Sequence, residues 1–252
     1  MNKTSITYGE KEKIVVVSEK EKAIRDLPLL IEQAGFQITP HELVLVKPNV
    51  CGMYPPALEL LEAVIRYIKP YSKAIIIGET QSAGHSPNER FESLGIKTLA
   101  EQLGVAVRDL MEDKAVMKRV PKPHVMKEIL FPSTVLKADL LVNCPGLGTH
   151  GNTLLTCALK NLFGLIAERR KFSRLHPKGV SRVVADVYKL VKPQLNVVDC
   201  GRHVLVGTDA LSVDVVACEF QSLSPSKVRH LVLAAQDLGL ELSELRIRRI
   251  EL

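Results

Sequence analysis

The chain has 252 residues, of which 46% are hydrophobic and 25% charged, as is typical of a globular protein. No apolar run approaches the roughly 18 residues that a membrane span needs, and the first residues lack the apolar segment of a signal peptide. We therefore expect a cytoplasmic protein without a membrane partner. The net charge of +6 favours a small anionic ligand or nucleic acid, although an aromatic content of 4% argues against base stacking.

Apolar strands alternate with amphipathic helices along the chain. β-Branched and aliphatic runs predict buried strands, and apolar residues at helical spacing predict helices. The predicted strands are 13–17, 42–46, 73–77, 105–107, 127–131, the start of the stretch 139–164, 196–198, 203–207 and 245–250. The predicted helices are 20–34, 57–69, 88–103 with a break at Gly95, 179–191, 210–220 and 226–238.

This alternation indicates β-α-β units. We predict one α/β domain over residues 1–252, with a mainly parallel, mixed β-sheet covered by helices on both faces. Residues 109–127 are rich in Lys, Met and Pro and predict an irregular excursion. Ligands bind such sheets beyond the carboxyl ends of the strands. Polar residues at the predicted strand ends are Lys47, Asn49, Glu79, Asn143 and Asp199.

The stretch 139–164 predicts a buried strand, a glycine-bearing loop and a helix. The loop glycines Gly146, Gly148 and Gly151 allow close approach of the backbone to a ligand, and free amides at the start of a helix favour an anion. The pattern G-x-x-x-x-G-N-T differs from a phosphate-binding loop because Asn152 replaces its lysine. A nucleoside triphosphatase is therefore the weaker interpretation.

The predicted helix has a broad apolar arc and a narrow polar stripe that includes Thr156, Lys160 and Asn161. A stripe with one charge and no acid favours a ligand, and a packed helix with a snorkelling lysine is the alternative. Similar alternatives remain open elsewhere in the chain. His150 could act as an acid or base, bind a metal or form a hydrogen bond within the loop. Glu79 and Asp199 could act in catalysis or bind a divalent cation, or they could form a helix cap or a turn.

Metal and redox chemistry receive limited support from the residues themselves. A metal site of His150, His176 and Asp199 is chemically feasible, but their spacing does not predict it. No C-x-x-C pair is present, so the chain encodes neither a zinc ribbon nor a ferredoxin-type cluster motif. We expect the five cysteines to be buried, reduced thiols.

Residues 155–164 resemble the T-x-x-x-K-N-x-x-G signature of the domain of unknown function 362 (DUF362) family. Further resemblances occur in order at 46–49, 78–80, 138–145, 149–150, 176, 197–199, 208–209 and 214–217. The resemblance covers about residues 40–240. The family usually has lysines where this chain has Gly146 and Gly148, and its G-x-G-P loop is absent after Asp199. Many relatives carry ferredoxin-type clusters, which implies a separate ferredoxin-like partner here.

Three functional hypotheses follow. The first is an enzyme or former enzyme that binds a small phosphate- or carboxylate-bearing ligand, with an unidentified cofactor. The second is a non-catalytic redox-partner or binding module, and the third is nucleic-acid binding through the basic run at 169–182. The candidate catalytic residues are His150, Lys160, Glu79 and Asp199. The candidate ligand-binding residues are Lys47, Asn49, Gly146, Gly148, Thr149, Gly151, Thr156, Asn161 and His176.

Overall fold

An eight-stranded mixed sheet forms the centre of the fold in a computed structural model that describes residues 12–82 and 84–252. Its strands are β1 (Lys13–Glu19), β2 (His41–Pro48), β3 (Ser72–Glu79), β4 (Ala106–Asp109), β7 (Leu140–Cys144), β10 (Leu195–Asp199), β11 (His203–Gly207) and β12 (Ile247–Glu251). Two antiparallel pairs lie outside it, β5 (Ala115–Arg119) with β6 (Glu128–Pro132), and β8 (Gly148–His150) with β9 (Leu154–Thr156).

The sheet order is β12-β1-β11-β10-β7-β2-β3-β4. Within the described chain, β11 is the one strand of this sheet that runs antiparallel to its neighbours. The prediction of a mainly parallel, mixed sheet is therefore confirmed. Because the other strands share one direction, β2, β3, β7 and β10 end at the same edge.

Helices cover both faces of the sheet, as the sequence predicts. The helices are α1 (Lys20–Arg25), α2 (Leu27–Gln33), α3 (Leu58–Ile68), α4 (Pro87–Ser93), α5 (Ile96–Leu103), α6 (Ser133–Lys137), α7 (Ala158–Asn161), α8 (Lys171–Leu175), α9 (Val180–Leu190), α10 (Ala210–Ala217) and α11 (Arg229–Asp237). Val44 and Val46 of β2 pack in the core with α1, α2, α3 and α5, whereas Leu45 packs in the opposite core with α7, α9, α10 and α11. Burial on both faces explains the uninterrupted apolar run. None of the helices in the described ranges is long and apolar enough to cross a membrane.

Three predicted elements differ from the structure. The predicted helix 20–34 divides at Asp26, with Pro28 in the first turn of α2, where proline needs no amide donor. The prediction of an irregular excursion at 109–127 was wrong in part, because β5 pairs with β6. The prediction that a helix follows the glycine loop directly was also wrong. Leu154–Thr156 is a strand, and α7 begins at Ala158.

His230 of α11 is fully buried, and neither of its ring nitrogens has a hydrogen-bonding partner within residues 12–82 and 84–252. Burial lowers the pKa of His230 from 6.5 to about 3, and the charges of Lys160 and His150 add to this effect. The folded protein therefore excludes a proton that the unfolded chain binds below pH 6.5. This difference contributes stability above the unfolded pKa, which is lost as the pH falls toward the folded pKa.

We expect the His230→Leu variant to resist acid better than the wild type. Between pH 6.5 and 5.5, the wild type should lose about 1 kcal/mol more unfolding free energy than the variant. Urea unfolding across this pH range measures the difference, and a His85→Leu variant is the matched control because His85 is exposed. Equal pH slopes for His230→Leu and the wild type would contradict the expectation.

Candidate functional site

A cavity of about 480 Å³ lies beyond the carboxyl ends of β2 and β3. The β8–β9 hairpin, α7 and α8 form much of its wall. The predicted site residues that line it are Asn49, Glu79, Thr149, His150, Thr156, Lys160, Asn161 and His176. Most of the predicted site residues therefore line one cavity, and two of them, Asn49 and Glu79, follow from the strand-end rule.

A buried ion pair lies at the base of the cavity. Lys47 Nζ is 2.7 Å from Glu79 Oε2, and the two residues are 0% and 2% exposed. Lys47 Nζ also donates to the Pro48 carbonyl and to Asn161 Oδ1, at 3.0 Å each. Glu79 ends β3 next to β2, and this pairing brings the carboxylate to the lysine.

Asparagines extend this network across the sheet. Asn161 Nδ2 donates to the Lys47 carbonyl at 3.1 Å and to Asn143 Oδ1 at 2.8 Å. Asn143 Nδ2 donates to Asn196 Oδ1 at 3.0 Å, and Asn143 is in register with Lys47 and Asn196. Both donor hydrogens of Asn161 are thus used within the protein. The network fixes Lys47 and Asn161 in place at the base of the cavity.

The space at position 164 admits no side chain, which explains why this residue is glycine. A Cβ on Gly164 would lie 2.6 Å from both Glu79 Oε1 and Lys47 Nζ. Glycine therefore allows the 3-10 turn Leu162–Leu165 to pass against the ion pair.

Two lysines, Lys160 and Lys171, line the cavity, and their hydrogen-bonding partners differ. Lys171 is 4% exposed, and its Nζ donates to Thr80 Oγ1, which in turn donates to the Gly164 carbonyl. Lys160 Nζ lies 5.0 Å from the Phe163 ring centroid and makes no hydrogen bond or ion pair with the described residues. Its ammonium group is therefore available to a ligand.

Burial lowers the pKa values of both lysines. The pKa of Lys160 falls to about 8, an effect to which Lys47 adds and which Glu79 opposes. The pKa of Lys171 falls to about 7, again mainly through burial, with Glu79 opposing the change and Lys47 adding to it. Lys160 and Lys171 line the cavity with one carboxylate, since Glu79 is the only acidic residue among its described lining residues, and Glu79 is paired with Lys47. The site therefore has a local excess of positive charge.

Two histidines complete the wall. The ring centroids of His150 and His176 are 6.4 Å apart, and His176 packs against Phe163 and Phe172 at 6.0 and 4.7 Å. Burial lowers the pKa of each histidine, and the charge of Lys160 adds to this effect. The Asn152 amide donates to His150 Nδ1 at 3.2 Å, so neutral His150 has its proton on Nε2. Both rings can accept a proton near neutral pH.

Asp199 lies at the same sheet edge but does not line the cavity. Its carboxylate is 2.7 Å from Lys20 Nζ and accepts hydrogen bonds from the amides of Ala57 and Gly201 at 2.8 and 2.9 Å. Across the described ranges, no group of three His, Cys, Asp or Glu side chains is arranged to hold a metal ion. The metal site considered for His150, His176 and Asp199 is therefore not assembled.

Two of the three loop glycines, Gly146 and Gly148, lie against Tyr54. A Cβ on Gly146 would lie 2.4 Å from the Tyr54 carbonyl oxygen, and one on Gly148 would lie 2.2 Å from the Tyr54 ring, whereas Gly151 faces open space.

The amides at the start of α7 are also occupied. Asp214 accepts hydrogen bonds from the amides of Ala158 and Leu159 at 2.7 and 3.0 Å. The expectation that free amides at this helix end bind an anion was therefore wrong, because a buried carboxylate already binds them.

Sequence analysis placed Lys171 in the basic run at 169–182, and the structure shows that this side chain is buried. Its spacing from Leu175 in α8 is a signal of a shared buried face. Tyr54, Thr80 and Phe172 also belong to the cavity wall but were not predicted as site residues. All five cysteines are free, and four of them are buried as expected, whereas Cys200 is partly exposed.

The fold and the cavity together define an α/β protein with a cationic pocket at the carboxyl edge of its sheet. The model of a family described as a domain of unknown function (DUF362) matches residues 44–219, more than half of the chain, and the protein belongs to this family.

Two solved structures are similar in fold. The lactate racemase apoprotein from Thermoanaerobacterium thermosaccharolyticum has 14% sequence identity and a TM-score of 0.49, with 84% of this chain and 57% of that chain covered. A structural genomics target from Thermotoga maritima has 14% identity and a TM-score of 0.45, with 80% and 58% covered. The chain thus spans less than two thirds of either protein. Comparison with curated proteins finds no match.

Proposed function

We propose that this protein binds a small carboxylate- or phosphate-bearing ligand in the cavity and acts on it by proton transfer. The observation that carries the proposal is the charge of the pocket. Lys160 and Lys171 line it together with a single carboxylate, Glu79, which is already paired with the buried Lys47. An excess of buried cations is unfavourable unless it is paired, and a ligand anion supplies the missing charge. Lys160 and Lys171 are the side chains that would contact the anion.

His150 and His176 are the proposed acid/base groups. They line the same cavity as the lysines, and their lowered pKa values leave both rings neutral at pH 7. A neutral imidazole close to a bound ligand accepts a proton and returns it in a later step. Phe163 contacts both His176 and the Lys160 ammonium group, so an acid/base group and a cation share one wall.

We expect Lys171→Met to weaken anion binding about 10- to 100-fold, because a charge-assisted hydrogen bond contributes about 1.5–3 kcal/mol. Calorimetric titration with inorganic phosphate, succinate and propionate measures the change. Lys178→Met is the matched control, since Lys178 is exposed in the same basic run. The proposal fails if none of these anions binds the wild type, or if Lys171→Met binds them all as tightly.

A further inference from the structure

We infer that Lys160 is the nucleophile of this cavity and that the bound anion carries a ketone or aldehyde, with which the lysine forms an imine. The inference rests on the proposed function, because the anionic group must first bind in the pocket. It adds a substrate class, small oxo acids or carbonyl-bearing phosphates, and a covalent role for one residue.

The three lysines of the site are not equivalent. Lys47 Nζ has three partners, which are Glu79, Asn161 and the Pro48 carbonyl. Lys171 Nζ is held by Thr80. Lys160 has neither a hydrogen bond nor an ion pair to the rest of the described chain, and its Nζ rests over the Phe163 ring. An amine held by other groups does not attack a carbonyl readily, so the geometry selects Lys160.

Lys47 and Lys171 are held by other residues, whereas the Lys160 amine is available to react. Thr80 holds Lys171 in place, and the remaining N–H groups of Lys171 can donate to the ligand's carboxylate or phosphate, while Lys160 has no partner among the described residues. Burial and the neighbouring Lys47 lower the pKa of Lys160 to about 8, which increases the neutral, nucleophilic fraction. Burial lowers the pKa of Lys171 further, to about 7, so the free position of Lys160 Nζ, and not its pKa, distinguishes the two amines. Desolvation and a nearby cation are the two ways in which a lysine amine becomes reactive toward carbonyl groups.

The step balances without a redox partner. The Lys160 ammonium group gives one proton to His150 or His176, and its nitrogen then attacks the carbonyl carbon. The resulting carbinolamine loses its hydroxyl group as water after the imidazolium returns the proton. The net change converts an ammonium group and a carbonyl group into a protonated imine and water. His176 and the Lys160 amine both contact the Phe163 ring, and both residues line the cavity. The proton acceptor and the nucleophile therefore meet the ligand in the same cavity.

Reductive trapping tests the inference on the wild-type protein. The probe is pyruvate with sodium cyanoborohydride at pH 8, followed by peptide mapping with mass spectrometry. We expect the reduced adduct at Lys160 to exceed that at exposed Lys178 by about tenfold or more, because more of the Lys160 amine is neutral. Inorganic phosphate should suppress the adduct at Lys160 and leave Lys178 unchanged.

Lys160→Arg separates this inference from the proposed function. Arginine keeps the positive charge but has no nucleophilic amine at this pH. The variant should give no adduct at residue 160 while exposed Lys178 is labelled as in the wild type, and propionate, which lacks the carbonyl group, tests anion binding in the wild type. Propionate binding without trapping in the wild type would overturn the imine alone, whereas absence of binding by every anion would overturn the proposed function. An adduct chiefly on Lys171, or spread over exposed lysines, would also overturn the inference that Lys160 is the nucleophile.

Discussion

Replacing Glu79 with glutamine is expected to destabilise the ligand-free protein by about 3–5 kcal/mol and to tighten its binding of anions. Glu79 Oε2 is 2.7 Å from Lys47 Nζ, and both side chains are almost fully buried. Glutamine has a similar shape but no charge, so Lys47 would lose its counterion. Lys160 and Lys171 would then face the cavity without any carboxylate from its described lining. A bound anion would replace the lost charge.

Urea unfolding with and without inorganic phosphate measures both effects. Phosphate should restore a larger part of the unfolding free energy to Glu79→Gln than it adds to the wild type, since a ligand stabilises only the state that it binds. The double variant Lys47→Met/Glu79→Gln is the control, because it removes both charges. Its loss of stability should be smaller than the sum of the single losses. Equal phosphate effects in the wild type and Glu79→Gln would contradict this account.

The fold was largely predictable because the strands are buried on both faces. Val44, Leu45 and Val46 are all fully buried, so the apolar run itself marks β2. The β8–β9 hairpin was missed although Gly151 and Asn152 lie at its turn, a common sign of a hairpin. Apolar residues at 154, 155, 158 and 159 also fit helical spacing, and spacing alone does not distinguish a short strand from a helix.

The site was predictable only as far as strand ends identify it. The rule placed Asn49 and Glu79 correctly at the cavity, but it also included Asp199. Local sequence does not give the sheet order, in which β10 lies across β7 from β2 and β3. At that position Asp199 binds Lys20, which begins α1 directly after β1. The inward direction of Lys171 depends on Thr80, 91 positions earlier in the chain, and no local pattern contains that contact.

Gly148→Ala is expected to destabilise the protein by about 1–3 kcal/mol, because the added methyl group overpacks the wall of the cavity. Its Cβ would lie 2.2 Å from the Tyr54 ring, whose hydroxyl group is 3.3 Å from Thr149 Oγ1. Family resemblance predicts lysine at position 148, and in this chain the Tyr54 ring takes the space next to that position. Gly148 therefore admits Tyr54, although sequence analysis predicted close approach to a ligand.

A double-mutant cycle distinguishes these two roles of Gly148. In a Tyr54→Ala background, Gly148→Ala should cost little, which gives a coupling energy of about 0.5–3 kcal/mol in urea unfolding. Gly151→Ala is the matched control in the same hairpin, because its Cβ would meet no atom within 4 Å. If Gly148 instead served ligand approach, alanine there would weaken phosphate binding without loss of stability. Tyr54→Ala would then fail to restore the binding, and the steric account would be wrong.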